Sequence, residues 1–273
     1  MGDFSGIGGQ RFEAGGPDLT DTTGPTITPS TSTNTKGSYI EIIASTTFDT
    51  KELFIITARG NSAIDYLYDI AIGAAGSEKD IISNLYHTST GRYLTRHAFP
   101  LAIPAGTRIS ARSQALGASK AGFEVLVYMT ATGYTHPNPL GRCTTYGAAT
   151  GDSGGTSIDP GASANTKGAY SELTASSTNP TKSLAIGIGN QANSVRSNAL
   201  YLLDIAVGAS GSERVILGDI WLVCGTQIDI VAPSAIPSIP VNIPAGTRIS
   251  ARAQCDITDV TDRLFDVIVY GAD

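Results

Sequence analysis

The ten residues from Ile103 to Arg112 read IPAGTRISAR, and the same ten recur letter for letter from Ile243 to Arg252. The stretch has the form of a turn entering a strand. Proline presets φ at the second position of a turn, and glycine two places later suits the fourth position of a type I turn. Beyond it, Ile109 and Ala111 fall on one face and Arg108 and Arg112 on the other, which is the period of a half-buried strand. A chain that carries one turn-and-strand module twice is expected to carry a whole domain twice.

The repetition extends well past the module. Asp21–Gly37, DTTGPTITPSTSTNTKG, aligns with Asp152–Gly168, DSGGTSIDPGASANTKG, at an offset of 131. YDIAIGAAGSE ending at Glu78 matches LDIAVGASGSE ending at Glu213 at an offset of 135, and the decapeptide itself lies at 140. FEVLVY ending at Tyr128 matches FDVIVY ending at Tyr270 at 142. The offset only grows, as loop insertions in the second copy would make it. Units of this length indicate a duplicated domain and not a solenoid, whose periods are far shorter. The expected division is an N-terminal arm over 1–20, a first repeat over 21–133, a Pro- and Gly-rich linker over 134–151 and a second repeat over 152–273.

Composition decides the fold class. Of 273 residues, 15% are charged, 7% are aromatic and 31 are glycine, a mixture that suits short strands and tight turns and suits long helices poorly. In the first repeat strands are expected near Tyr39–Ala44, Leu53–Ala58, Tyr66–Gly73, Glu78–Tyr86, Phe99–Ile103, Thr107–Gln114 and Phe123–Thr130. Their close spacing, broken by Gly, Pro, Asn and Ser, implies an all-β chain of two tandem antiparallel β-sandwich (jelly-roll-like) domains with an extended N-terminal arm.

The net charge of -6 and the lack of any Lys/Arg run argue against nucleic acid and against an anionic membrane surface as partners. The first residues, MGDFSGIGGQ, lack the basic start and apolar core of a signal peptide, so synthesis in a cytoplasm is expected. Three cysteines without a C-x-x-C pair point to buried free thiols and not to a disulfide framework.

Candidate chemistry is sparse. Gly151–Gly155 reads GDSGG, the string around the nucleophile of chymotrypsin-like proteases, but none of His87, His97 and His136 has the sequence setting of that family's base. The pentapeptide also aligns with Asp21–Pro25 of the first repeat, so it reads as a Gly-rich lead-in. Asp69/Asp204 and Glu78/Glu213 recur in both copies and could serve as a glycosidase pair or as calcium ligands. Pairing with Arg108/Arg248 or Arg112/Arg252 is the plainer expectation. No catalytic residue, metal or cofactor is therefore assigned. The partner-contact candidates are Phe4, Ile7 and Phe12, the large apolar residues of the arm, together with Arg108, Arg112, Arg248 and Arg252. Trp221 and the eleven tyrosines keep stacking on a sugar as an alternative.

The pattern DIAIGAAGSE … IPAGTRISAR … FEVLVY resembles small structural proteins encoded by tailed bacteriophages, in which such a unit occurs alone or in tandem. The likeness covers roughly residues 34–130 and 165–271 and leaves out the arm. It implies a virion component, such as a head decoration or fibre protein or a tail accessory protein; with the sparse candidate chemistry and the N-terminal arm beside it, the expected function is a non-enzymatic capsid decoration or minor head or head-fibre protein anchored by the arm. The implied partners are major capsid or tail proteins and further copies of the chain. A tail accessory or fibre protein, or a carbohydrate-binding module touching a host glycan, is the alternative.

Overall fold

The computed structural model of the protein describes residues 12–15, 24–58, 64–88, 95–132, 140–190, 199–225, 228–233, 238–258 and 264–273. Among these there is no helix; the chain is a succession of antiparallel strands. The first half holds β1 (Phe12–Gly15), β2 (Thr26–Ile27), β3 (Ile40–Ile43), β4 (Glu52–Ala58), β5 (Asp65–Ile72), β6 (Lys79–Thr88), β7 (Thr95–Phe99), β8 (Ile109–Ala115) and β9 (Phe123–Thr130). One sheet has the order β1-β9-β4-β7, with β2 on the same edge of β9 as β1; the other has the order β3-β8-β5-β6.

The second half holds β10 (Cys143–Tyr146), β11 (Ala148–Ala149), β12 (Gly154–Ile158), β13 (Ser171–Thr174), β14 (Thr181–Asn190), β15 (Ala199–Val207), β16 (Arg214–Gly225), β17 (Ile228–Pro233), β18 (Ile239–Ile243), β19 (Ile249–Cys255) and β20 (Phe265–Ala272). Its sheets run β11-β12-β20-β14-β18, with β10 on β20, and β13-β19-β15-β16-β17. Nine of its eleven strands pair as the nine of the first half do, and β11 and β17 are additional. Phe12 lies opposite Thr130 as Cys143 lies opposite Ala272, and Ile27 lies opposite Phe123 as Ile158 lies opposite Phe265. The tandem antiparallel β-sandwich read from the sequence is the architecture of this chain.

Alternation explains why the sheets stack. In β4, Leu53, Ile55 and Thr57 are buried while Phe54, Ile56 and Ala58 are only half-buried, and β9 alternates in the same way. The buried face meets β5, where the Phe123 ring lies 4.9 Å from Tyr66 and 5.4 Å edge-on to Tyr68. Tyr201 and Phe265 make the corresponding contact in the second half at 5.2 Å. Each such side chain removed from water contributes roughly 1.5–3 kcal/mol, so these aromatics anchor the two cores.

Four details differ from the expectations. The arm over 1–20 is not wholly outside the sandwich, because its residues 12–15 are the β1 strand on β9. The stretch 134–151, expected as a linker, carries β10 and β11 in its C-terminal part. A strand on a sheet edge needs only its backbone groups, so FEAG and CTTY occupy equivalent edges without sharing side chains. The repeated turn also sits one residue later than expected. Ala105 and Gly106 are its central pair, and Gly106 has φ of 78°, the left-handed value that a type II turn asks of its third residue. Gly246 repeats this at 79°. Of the added residues in the second half, some form β17 and not a plain loop.

Candidate interaction site

The four arginines singled out from the sequence face carboxylates of their own sheet. Arg108 reaches Glu41 at 2.8 Å and Glu78 at 3.1 Å, and Arg248 reaches Glu172 at 2.7 Å and Glu213 at 3.0 Å. Arg112 pairs with Asp69 at 2.9 Å and lies 4.5 Å over the Tyr39 ring; Arg252 pairs with Asp204 at 3.0 Å and lies 4.5 Å over Tyr170. A lysine completes each set, Lys36 to Asp69 and Lys167 to Asp204, both at 2.7 Å. These lysines come from the repeated NTKG, a motif whose role could not be read from its sequence alone.

The two aspartates also accept a backbone hydrogen bond. β6 and β16 each carry a bulge here, where Asn84 and Asp219 adopt φ of 57° and 55°, and their amides donate to Asp69 and Asp204. Asn and Asp tolerate that left-handed conformation better than most residues. Burial alone would raise the Asp204 carboxyl. The bonds from Lys167, the Asp219 amide and Arg252 outweigh it and hold the group below the usual carboxylate range. Lys36 is drawn down by burial, against the pull of Asp69. This is a satisfied ion-pair lattice, and it occupies the groups that a glycosidase pair or a calcium site would need.

A second constellation joins the halves. Asn34 and Gln114 of the first half hold the turn over Thr150–Ser153. Gln114 Nε2 donates to the Thr150 carbonyl at 2.8 Å and to Ser153 Oγ at 3.0 Å, while Ser153 Oγ donates to Asn34 Oδ1 at 2.7 Å. Asn34 Nδ2 also donates to the Gly151 carbonyl. The serine of GDSGG is thus fully buried and bonded to amide side chains across this seam. Beside it the Tyr86 amide donates to Tyr270 Oη at 2.9 Å, and the Tyr86 ring lies flat on Gly189, where an added Cβ would come within 2.2 Å of ring carbon. Tyr270, Ile268 and Ala185 of the second half are packed into the core of the first.

His97 closes the seam, with Phe99 on one side and the Tyr270 ring 5.4 Å away edge-on. Burial pushes its pKa down to about 4, despite a bond to the Tyr86 backbone. The unfolded chain takes up this proton near pH 6.5 and the folded chain does not. Stability is therefore full above pH 6.5 and falls progressively as pH drops toward 4, by about 3 kcal/mol in all. Urea titrations of wild type and His97→Phe at pH 7 and pH 4.5 check this; the variant should lose markedly less on acidification. His87 instead sits in the core of the first half, 2.9 Å from Thr57 Oγ1 and 4.4 Å from the Phe123 ring.

Among the described residues, three of the four exposed large apolar side chains, Leu200, Val215 and Trp221, lie in the second half, and Ile40 lies in the first. Trp221 is 51% exposed and Leu200 42%, and they flank a shallow groove of about 200 Å³ that Asn165, Gln254 and Asp256 also line. The sequence offered Trp221 only as a scattered aromatic; strand pairing brings it near an amide side chain, since Leu202 of β15 lies opposite Trp221 on one side and Gln254 on the other. Of the arm candidates, Phe12 begins β1, and Phe4 and Ile7 lie outside the described residues. Among the described residues no cluster of His, Cys, Asp and Glu could hold a metal ion. Cys143 and Cys255 are free thiols, and burial raises the Cys143 pKa.

No family model matches this chain. No curated protein matches it either. Among solved structures, a structure of PNGF-II is similar at 9% identity and a TM-score of 0.38, covering 96% of this chain and 65% of that one. The chain thus spans less than two thirds of that protein. The tandem CBM22-1–CBM22-2 domain of Paenibacillus barcinonensis Xyn10C is similar at 9% identity and a TM-score of 0.26, covering 97% of this chain and 92% of that one. All of these lie below a TM-score of 0.5, and the fold and function of this chain are read from its own residues.

Proposed function

We propose that this chain is a non-enzymatic structural protein of a tailed-phage virion, a capsid decoration or head-fibre type, in which a duplicated β-sandwich serves as a rigid binding unit. The observation that carries the reading is the seam between the halves. Two sandwiches joined by Tyr86, Tyr270, Ser153 and Gln114 across buried surface form a stiff spacer, suited to bearing contacts at both ends. The sequence likeness to phage structural proteins supplies the setting. Because β1 belongs to the sandwich, the anchoring segment proper is the part before Phe12.

The test is incorporation. Deleting residues 1–11 should leave the fold intact, by circular dichroism and melting temperature, and should remove the chain from purified particles. Absence of the full-length chain from particles would overturn the virion reading; normal incorporation of the truncated chain would overturn the arm as anchor.

One observation favours a second reading, carbohydrate binding. Trp221 offers an exposed indole face beside Asn165 and Gln254, the pairing of stacking and amide hydrogen bonds that sugars need. Binding of the isolated protein on a glycan array, lost in Trp221→Ala, would select it.

A further inference from the structure

The seat that holds the turn at the seam occurs twice on the molecule and is filled once. In the first half Tyr86, Leu67 and Gln114 stand opposite one another across three strands. The same row in the second half is Trp221, Leu202 and Gln254. Asn34 ends the first row and Asn165 the second. Both have left-handed φ, 53° and 57°, and their backbone amides donate to the Ala115 and Cys255 carbonyls. What differs is cover. Tyr86, Leu67 and Gln114 are at most 2% exposed, whereas Trp221 is 51% exposed and Leu202 and Gln254 are half-buried.

The filled seat shows what such a row accepts. Ala148 and Ala149 pair with Gly155 and Gly154, so Thr150–Ser153 is the four-residue tip of a hairpin. The tip presents the Thr150 and Gly151 carbonyls and the Ser153 hydroxyl, and these are the groups that Gln114 and Asn34 bond. It keeps its shape by bonds of its own: the Asp152 amide donates to the Ala149 carbonyl, and the Gly154 amide to Asp152 Oδ1. In the open seat the side-chain amides of Asn165 and Gln254 bond nothing among the described residues. Leu200 stands where Asp65 accepts the Tyr86 hydroxyl, so the floor beside Trp221 is apolar. Asp256 is the one charged residue among those that line the groove, which disfavours an anionic occupant.

We propose that the Asn165–Trp221–Gln254 groove is a receptor for a hairpin tip of a partner protein. The tip presents a serine or threonine hydroxyl and the backbone carbonyls two and three residues before it. The repeated seat argues for a peptide, because the same three positions already hold one in the first half. Indole offers this occupant a larger apolar face than the Tyr86 phenol, and an N–H donor besides. The inference goes beyond the proposed role by giving the tandem a contact apart from the arm, and it rests on the repeated seat and not on the virion setting.

The probe is a backbone-cyclised peptide of residues 147–156, GAATGDSGGT, added to the full chain. Cyclisation lowers the cost of ordering it. Trp221 is the single tryptophan of the chain, so its emission reads the groove, and calorimetry extends the reading to variants without it. The peptide should give a saturable blue shift as the indole leaves water. Trp221→Ala should weaken binding by about 30-fold or more. Gln254→Ala in the protein, or Ser153→Ala in the peptide, should weaken it by about 10-fold. If Trp221→Ala fails to fold, Gln254→Ala carries the test. No saturable shift up to about millimolar peptide, or one unchanged by Gln254→Ala and Ser153→Ala, overturns the proposal. Glycan binding lost in Trp221→Ala, with no response to the peptide, overturns it in favour of the carbohydrate reading. Self-association lost in Trp221→Ala and untouched by the peptide overturns it in favour of a second copy. Peptide binding by a chain that is absent from particles supports the receptor and removes only the virion reading.

Discussion

Asp69→Ala is expected to destabilise the protein by about 3 kcal/mol, seen as a fall in melting temperature of roughly 6–12 °C. The carboxylate is 3% exposed and accepts from three donors: Lys36 Nζ at 2.7 Å, Arg112 Nε at 2.9 Å and the Asn84 amide at 2.9 Å. Removing it leaves two cations and a backbone amide without their acceptor in a part-buried site. Breaking a buried pair from one side costs more than the pair itself contributes, because the desolvated partner remains. The loss falls at the low end of the usual 3–5 kcal/mol range, since Lys36 and Arg112 keep 18% and 30% of their surface in water. Asp204→Ala should act alike on the second half, where Lys167, Arg252 and the Asp219 amide converge. Thermal melts of both variants check the pair. An effect below about 1 kcal/mol in either would reduce the lattice to the weight of an ordinary surface ion pair.

Tyr270→Ala is expected to cost about 3–5 kcal/mol and to uncouple the halves. The ring is 1% exposed and fills the space between His97, Phe99 and the Tyr86 backbone, so its loss leaves a cavity that strands on both sides cannot close. Tyr270→Phe keeps the packing and removes only the hydroxyl, which accepts from the Tyr86 amide and donates to the Asn84 carbonyl at 3.4 Å, a loss of about 1–3 kcal/mol. Urea unfolding separates these effects. Wild type should unfold in one transition, and Tyr270→Ala should show two, since each half has its own core and the seam no longer couples them. A wild type with two independent transitions would mean that the seam contributes little.

The strands with an inward face were legible in the sequence. Leu53, Ile55 and Thr57 alternate with Phe54 and Ile56, and Gly and Pro mark where each run ends. The partners of Arg112 and Arg252 were legible as one of two choices, because a recurring Asp and a recurring Arg on neighbouring strands imply each other. The edge strands β1 and β10 were not. Backbone ladders form with almost any side chain, so CTTY within a Gly- and Pro-rich stretch left no periodicity to find. The seam was hidden for a different reason. Tyr86 and Trp221 stand at equivalent places as aromatics in β-strands, and local pattern cannot say that the first is covered and the second open. Ser153 was misleading for the same cause, since its hydroxyl matters through Asn34 and Gln114, more than thirty residues away in each case.

Hydrogen exchange at the Tyr86 amide reads the seam directly, because this group donates across it to Tyr270 Oη. The account predicts exchange slowed to the level of the innermost strands in wild type, and accelerated in Tyr270→Phe with the rest of β6 unchanged. Fast exchange at Tyr86 in the wild-type chain, at the rate of a free sheet edge, would contradict the joined tandem on which the proposed role depends.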